Sequence, residues 1–195
     1  MLVLASASPR RQELLRNAGI EFVVHPAEIP EDPLPGELPR ICAERLAREK
    51  ALKVSQQRPK DFILGADTIV VVDGQLLGKP SDQADAARML RLLSGRTHQV
   101  ITGVCLIQQQ GTGNPELRTG LEDTRSETTK VTMSPLTADD IRFYVASGEP
   151  MDKAGAYAIQ GLASRWIPRI EGDYANVVGL PVAIVFRMLK EHGAI

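Results

Sequence analysis

The alternation of apolar and polar positions divides the chain into short strand-like and helix-like runs. Leu2 to Ala5 is an unbroken apolar run and reads as a short buried strand. Ser8-Pro9 then reads as a helix start, with Ser8 as N-cap and Pro9 in the first turn. Leu14, Leu15 and Ala18 give that helix an apolar face, and Gly19 ends it. Phe22 to Val24 predicts a second strand. The stretch from Pro26 to Pro39 holds five prolines and reads as an irregular surface loop. A long helix is predicted from about Leu38 to Val54, with Leu38, Ile41, Cys42 and Leu46 as its apolar stripe. Lys50 continues the stripe four residues after Leu46, beside Ala43, Ala47 and Ala51. A lysine on a small-residue inner face needs a partner, because a buried unpaired ammonium is costly.

Phe62 to Val72 is an apolar strand region interrupted by the polar pair Asp67-Thr68, and Asp73-Gly74 is a hairpin turn signal. Ser81 or Asp82 opens a helix that Gly95 closes. Thr97 to Gln109 and Thr124 to Met133 predict two long strands. The polar segment between them, Gln110 to Asp123, makes them a long hairpin. Thr137-x-x-Asp140 opens another helix. Ala156 to Ile159, Trp166 to Ile170 and Asn176 to Val178 predict short strands, and Pro181 to His192 a terminal helix stopped by Gly193. Strands and helices mix without strict alternation, and the long hairpin requires an antiparallel element. The expected fold is α/β with a mixed sheet, as one domain over residues 1–195.

Composition narrows the chemistry. Hydrophobic residues make up 43% and charged residues 24% of 195 residues, ordinary usage for a folded chain. The formal net charge of -1 and an aromatic content of 4% argue against a partner that is a nucleic-acid polymer. They leave room for a small basic pocket. Cys42 and Cys105 are too few and too isolated for a disulfide framework or a thiolate zinc site, and read as buried thiols in a reducing compartment. The apolar start at Met1 to Ala5 is broken by Ser6 to Arg11, too early for a signal peptide. No run reaches the roughly 20 apolar residues of a membrane span. A cytoplasmic protein without a membrane partner is expected.

Four segments could carry chemistry, and each admits two readings. Ser6-Ala7-Ser8-Pro9-Arg10-Arg11 is a strand-to-helix turn where amide groups and arginines suit an anion, or it is an ordinary cap followed by solvated arginines. Gly65-Ala66-Asp67-Thr68 offers a carboxylate to a cation or a water, or a turn aspartate. Gly74-x-x-x-Gly78-Lys79-Pro80 lacks the spacing and the Ser/Thr of a P-loop. Lys79 there either reaches a phosphate or sits in an exposed turn. Asp152 to Gly161 combines glycines with Gln160, which can both donate and accept at a ring edge, or it is a strand with a bulge. His25, His98 and His192 join no recognisable cluster, and no signature of a serine or cysteine hydrolase is present. Scattered cations with one or two carboxylates suit metal-assisted phosphoanhydride chemistry.

In order along the chain, seven blocks together resemble the Maf family. They are Leu4-Ala5-Ser6-x-Ser8-Pro9-Arg10-Arg11-x-Glu13-Leu14-Leu15, Leu46-Ala47-x-x-Lys50-Ala51, Gly65-Ala66-Asp67-Thr68, Gly78-Lys79-Pro80, Leu93-Ser94-Gly95-x-Thr97-His98, Glu149-Pro150-x-Asp152-Lys153-Ala154-Gly155-Ala156-Tyr157 and Val178-Gly179-Leu180-Pro181. The resemblance implies a house-cleaning nucleoside triphosphate pyrophosphatase that needs a divalent metal, Mg²⁺ or Mn²⁺. It implies an elongated mixed sheet with flanking helices in two lobes around a central cleft, similar to the inosine triphosphate pyrophosphatases, and a homodimer. Asp67 matches the catalytic acidic residue. Ser8, Arg11, Glu31, Lys50 and Lys79 match other site positions, Glu31 and Asp67 as metal ligands; the proline-rich loop allows the Glu31 match to shift to Glu28. Arg10, Thr68 and Gln160 match the trio of the branch that prefers dTTP and UTP. Against the family pattern, the tip region of the long hairpin from Gln108 to Glu127 is extended. The competing expectation is a nucleotide-binding regulator of septum formation in cell division.

Overall fold

The computed structural model describes residues 1–109 and 120–195. The described residues form seven strands, β1 (Leu2–Leu4), β2 (Val23–Val24), β3 (Phe62–Val72), β4 (Gln75–Leu77), β5 (Thr97–Gln108), β6 (Leu121–Thr132) and β7 (Arg169–Glu171). Six α-helices accompany them: α1 (Pro9–Asn17), α2 (Pro39–Ser55), α3 (Gln83–Leu93), α4 (Ala138–Ala146), α5 (Tyr174–Val178) and α6 (Val182–Glu191). The sheet order is β2-β1-β3-β5-β6-β7, with β4 added to β3. β1 pairs parallel with β2 and β3, while β3–β4 and β6–β7 are antiparallel. The expected mixed α/β sheet with flanking helices is therefore present. The expected hairpin tip lies largely at 110–119, outside the described residues.

Contacts group the chain into two compact units. Unit 1 comprises Met1–Asp67, Thr102–Glu127 and Gly179–Ile195; unit 2 comprises Thr68–Ile101 and Thr128–Val178. In unit 1 the period-two alternation of the strands feeds two cores. Val3, Ala5, Ile63, Cys105 and Ile107 face α2 through Ala47, Ala51 and Val54. Their neighbours Leu2, Leu4, Leu64, Ala66, Val104 and Leu106 face α1 through Leu15 and α6 through Val185, Met188 and Leu189. The core of unit 2 joins α3 (Met89, Leu90, Leu93) and α4 (Ile141, Tyr144, Val145) to Val70, Val72, Leu77, Val100 and Val131.

Local signals act as expected at several ends. Asp82 caps α3 by accepting from the Asp85 amide at 2.7 Å. Thr137 and Asp140 form a capping box on α4. Asp73 (φ 48) and Gly74 (φ 77) both adopt the left-handed conformations that a two-residue hairpin turn requires, here between β3 and β4.

Other expectations fail for physical reasons. Leu38 and Ile41 are exposed, so the inner stripe of α2 is Cys42, Ala43, Leu46, Ala47, Lys50, Ala51 and Val54. Ala18 lies beyond α1 and is exposed, whereas Arg11 is buried on the same face as Leu15. β3 runs unbroken through Asp67-Thr68, because the carboxylate of Asp67 is paired and needs no turn to reach water. Of the three strands expected after residue 155, only β7 forms. The segment 154–156 is a 3₁₀ turn with Gly155 and Ala156 at positive φ, and residues 162–166 form another. Asn176 belongs to α5, with its side-chain amide donating to the Val100 carbonyl at 3.0 Å. The bulged strand considered for 152–161 is thus a succession of turns.

Candidate active site

Lys50 projects from the inner face of α2 between two carboxylates. Its Nζ lies 2.6 Å from Oδ1 of Asp67 on β3 and 2.6 Å from Oε1 of Glu31. The Lys50 and Asp67 side chains are 7% and 11% exposed, that of Glu31 41%. The partner that a lysine on this face requires is thereby identified, and of Glu31 and Glu28 it is Glu31 whose carboxylate reaches Lys50.

Two features of the sequence bring these groups together. Asp67 shares its strand face with Gly65 by alternation, and that face looks at α2. A Cβ at Gly65 would overlap the Ala47 carbonyl oxygen, so only glycine admits the helix at this distance. Gly103 on β5 gives α2 the same close approach at Ala43. The loop before α2 is fixed by Arg45. Its guanidinium grips the Glu37 carboxylate in a bidentate pair, at 2.6 and 2.8 Å, and also donates to the Asp32 carbonyl at 3.1 Å. That last bond holds the residue next to Glu31. The fork holds the Glu37 carboxyl down at about 2.

Arg11 is a second buried cation in the same unit. Its Nε donates to the Gly179 carbonyl at 2.8 Å, and Nη1 to the Ala66 carbonyl at 2.9 Å and to Ser6 Oγ at 3.1 Å. Burial lowers its pKa, while the carboxylates of Asp67 and Glu31 oppose that shift. The picture of a solvated arginine pair therefore fails for Arg11. Ser8 caps α1, accepting from the Arg11 amide at 3.5 Å, and its own amide donates to Ser6 Oγ at 3.3 Å. Ser6 thus joins the network, although the sequence reading did not single it out. Arg10 is half-buried one position earlier on α1.

Thr68, Lys79 and Gln160 lie in unit 2. Thr68 is half-buried on the face of β3 opposite to Asp67 and shared with Val70. Gly155 packs on Val70, and its amide donates to the Gly78 carbonyl at 3.0 Å. The Gly78-Lys79-Pro80 segment and the segment from Asp152 are thereby neighbours, with Lys79 exposed. Gln160 is exposed in the turn after Ile159.

The cysteines and histidines lie outside this cluster. Burial raises both Cys42 and Cys105 to about 11, so neither thiol is a ready nucleophile. His98 is buried with Nε2 2.7 Å from the Tyr157 hydroxyl, and burial lowers its pKa to about 4. His192 does have company: it lies 2.9 Å from Asp123, which together with Glu191 also pairs with Arg125.

In unit 1 the charges of Lys50 and Arg11 cancel those of Asp67 and Glu31. A polyanionic substrate would therefore call for further cations, and two carboxylates side by side are hard oxygen donors of the kind that Mg²⁺ or Mn²⁺ takes. The fold and these residues define an α/β protein with a buried cluster of paired charges in unit 1. The family model described as Maf-like protein matches residues 1–192, and the chain belongs to the Maf family. It is 54% identical over 194 residues to the dTTP/UTP pyrophosphatase of Koribacter versatilis, covering 100% of this chain and 95% of that one. It is 51% identical to that of Geobacter sulfurreducens, covering 100% and 97%, and 52% identical to that of Symbiobacterium thermophilum, covering 98% and 94%. A solved nucleoside-triphosphatase / dITP/XTP pyrophosphatase from Mycobacterium abscessus aligns over 70% of this chain and 76% of its own, with a TM-score of 0.44 at 20% identity, too slight a likeness to bear on fold or chemistry.

Proposed function

We propose that the protein is a nucleoside triphosphate pyrophosphatase that hydrolyses dTTP and UTP to the monophosphate and pyrophosphate. The observation that carries the reading is Lys50 held by both Asp67 and Glu31. Identity of about half to relatives named dTTP/UTP pyrophosphatase supports the substrate. Asp67 orients the attacking water and takes its proton. Lys50 fixes the Asp67 carboxylate at Oδ1 and supplies positive charge beside the phosphates. Arg11 adds a buried, immobile charge, and Ser8, Arg10 and Lys79 bind phosphate oxygens. Thr68 and Gln160 contribute to base preference; the carboxamide of Gln160 can accept from N3–H and donate to a ring carbonyl of thymine or uracil.

Glu31 and Asp67 would hold the divalent cation. When bound, that ion neutralises phosphate charge and makes the attacking water more acidic. A cytoplasmic site of action suits the two unbridged thiols. No helix among the described residues is long and apolar enough to cross a membrane. We take the assembly to be a homodimer and the partner to be a free nucleotide, not a nucleic-acid polymer.

The test is pyrophosphate release from a panel of ribo- and deoxyribonucleoside triphosphates with Mg²⁺ or Mn²⁺. Release should be fastest with dTTP and UTP. Asp67→Asn preserves volume and an acceptor for Lys50, so the fold should survive while turnover nearly vanishes. Near-normal turnover in that variant removes Asp67 from the chemistry. Nucleotide binding without release by the wild type favours a regulator instead.

A further inference from the structure

The exposed Gln160 sits on a turn whose two ends are bridged by side chains from another part of unit 2. The Gly161 amide donates to the Ala158 carbonyl at 3.1 Å, which places Ile159 and Gln160 at the two central positions. Ile159 is buried and Gln160 exposed, so the turn presents the carboxamide outward. At its start the Ala158 amide donates to the Tyr144 hydroxyl at 3.0 Å. At its end the Leu162 amide donates to Oε2 of Glu149 at 3.1 Å. The Tyr144 hydroxyl donates in turn to Oε1 of Glu149 at 2.7 Å. One hydrogen-bonded path therefore runs across the base of the turn. It is close-fitting as well, since a Cβ at Gly161 would overlap the Glu149 carboxylate.

We propose that Tyr144 and Glu149 are positioning residues that set the preference for thymine and uracil by fixing the turn that carries Gln160. The inference rests on the base-reading role given to Gln160 above. A carboxamide turned by 180° exchanges its donor and its acceptor, and so can serve cytosine as readily as thymine. A fixed turn does not stop that rotation, but it sets the distance and angle at which the carboxamide meets the ring edge, and with them how far one arrangement is preferred over the other. Neither Tyr144 nor Glu149 acts by touching the base; each acts through the turn's backbone. The Tyr144 ring also stacks edge-on against Trp166, with centroids 5.6 Å apart, so its packing does not depend on the hydroxyl.

A carboxylate is required at 149 because both of its oxygens accept. In Glu149→Gln the NH₂ group must face either the Leu162 N–H, which then has no acceptor, or the Tyr144 hydroxyl, which then loses the acceptor for its own proton. One link breaks with almost no change of volume. Tyr144→Phe removes the middle of the path and keeps the ring.

The experiment measures kcat and KM for dTTP, dCTP, UTP and CTP in the wild type, Glu149→Gln, Tyr144→Phe, Gln160→Ala and the Glu149→Gln/Gln160→Ala double variant. Each single variant should narrow the dTTP/dCTP and UTP/CTP ratios of kcat/KM by about tenfold, as one well-placed hydrogen bond does. The effect should fall mainly on KM, and the double variant should discriminate no worse than Gln160→Ala. Equal loss on all four substrates, unchanged ratios, or additive losses in the double variant would overturn the proposal. If Gln160→Ala alone narrows the ratios, only the positioning role falls; if Gln160→Ala leaves them intact, the base-reading role falls as well. Should Glu149→Gln fail to fold, Tyr144→Phe decides by the same criteria.

Discussion

Gly65→Ala adds one methyl group at the place where α2 leans on β3. The new Cβ would overlap the Ala47 carbonyl oxygen and stand 2.8 Å from the Ala51 nitrogen and 3.0 Å from its Cβ. Both close atoms of the first kind are helix backbone and cannot swing aside. Comfortable contact needs about 3.5 Å, so α2 must retreat by more than about 1 Å. That stretches the 2.6 Å bond between Lys50 and Asp67 to more than about 3.6 Å, beyond hydrogen-bonding reach. Overpacking of this kind costs about 1–3 kcal/mol, and losing a charged hydrogen bond about 1.5–3 kcal/mol more. The conformational gain of alanine over glycine returns about 0.5–1 kcal/mol. A net loss of about 3 kcal/mol lowers Tm by roughly 6–12 °C in a chain of this length. Misplacing the reacting groups by that distance costs turnover about 100-fold. Thermal melting by circular dichroism and pyrophosphate release from dTTP read the two effects. A variant that melts with the wild type and turns over normally would refute the claim that Gly65 sets the distance between helix and strand.

Two further predictions follow from groups that support the units. His98 stays neutral in the fold down to about pH 4, yet protonates near 6.5 once unfolded. Its contribution is complete above pH 6.5 and is lost as pH falls from 6.5 towards 4, by on the order of 2 kcal/mol at pH 5. Urea melts at pH 7 and pH 5 should show that loss in the wild type and a flatter dependence in His98→Asn; parallel curves would contradict it. Arg45→Ala frees both Glu37 and the Asp32 carbonyl, at about 1–3 kcal/mol of stability, and loosens the loop that carries Glu31. It should raise the Mg²⁺ concentration for half-maximal pyrophosphate release more than it lowers turnover at saturating Mg²⁺. An unchanged metal titration would detach Arg45 from that role.

Long periodic elements and their caps were readable from sequence because each is decided locally. Asp82, Thr137-x-x-Asp140 and Asp73-Gly74 act within four residues of themselves, and the structure uses them so. The region after residue 155 was not readable, since its apolar runs of three or four residues have no distinguishing period. Arg11 stood among the candidate residues, but its burial was not legible, because periodicity counts arginine as polar and nothing local says that carbonyls from residues 66 and 179 will receive it. Lys50 was legible for the opposite reason: it stood out against a face of small residues. Its first partner, Asp67, could have been found through Gly65, a glycine inside an apolar strand that marks close backbone approach. Glu31 was legible only through the family resemblance, because a proline-rich loop has no period and Arg45 fixes it through contacts that only the folded chain creates.

Arg11 ties together segments that lie far apart along the chain. Ser6 and Ala66 come from its first third and Gly179 from near its end, a separation of 168 residues between donor and acceptor. Closing so long a loop is entropically unfavourable until the intervening structure has formed. The guanidinium thus reaches its final position only after the last segment of the chain has docked. A chain that contains all nine candidate residues but stops short of Gly179 would keep the Arg11 bonds to Ser6 and Ala66 and lack the one from Nε. The full set of bonds to this one guanidinium thus depends on residues drawn from both ends of the described sequence.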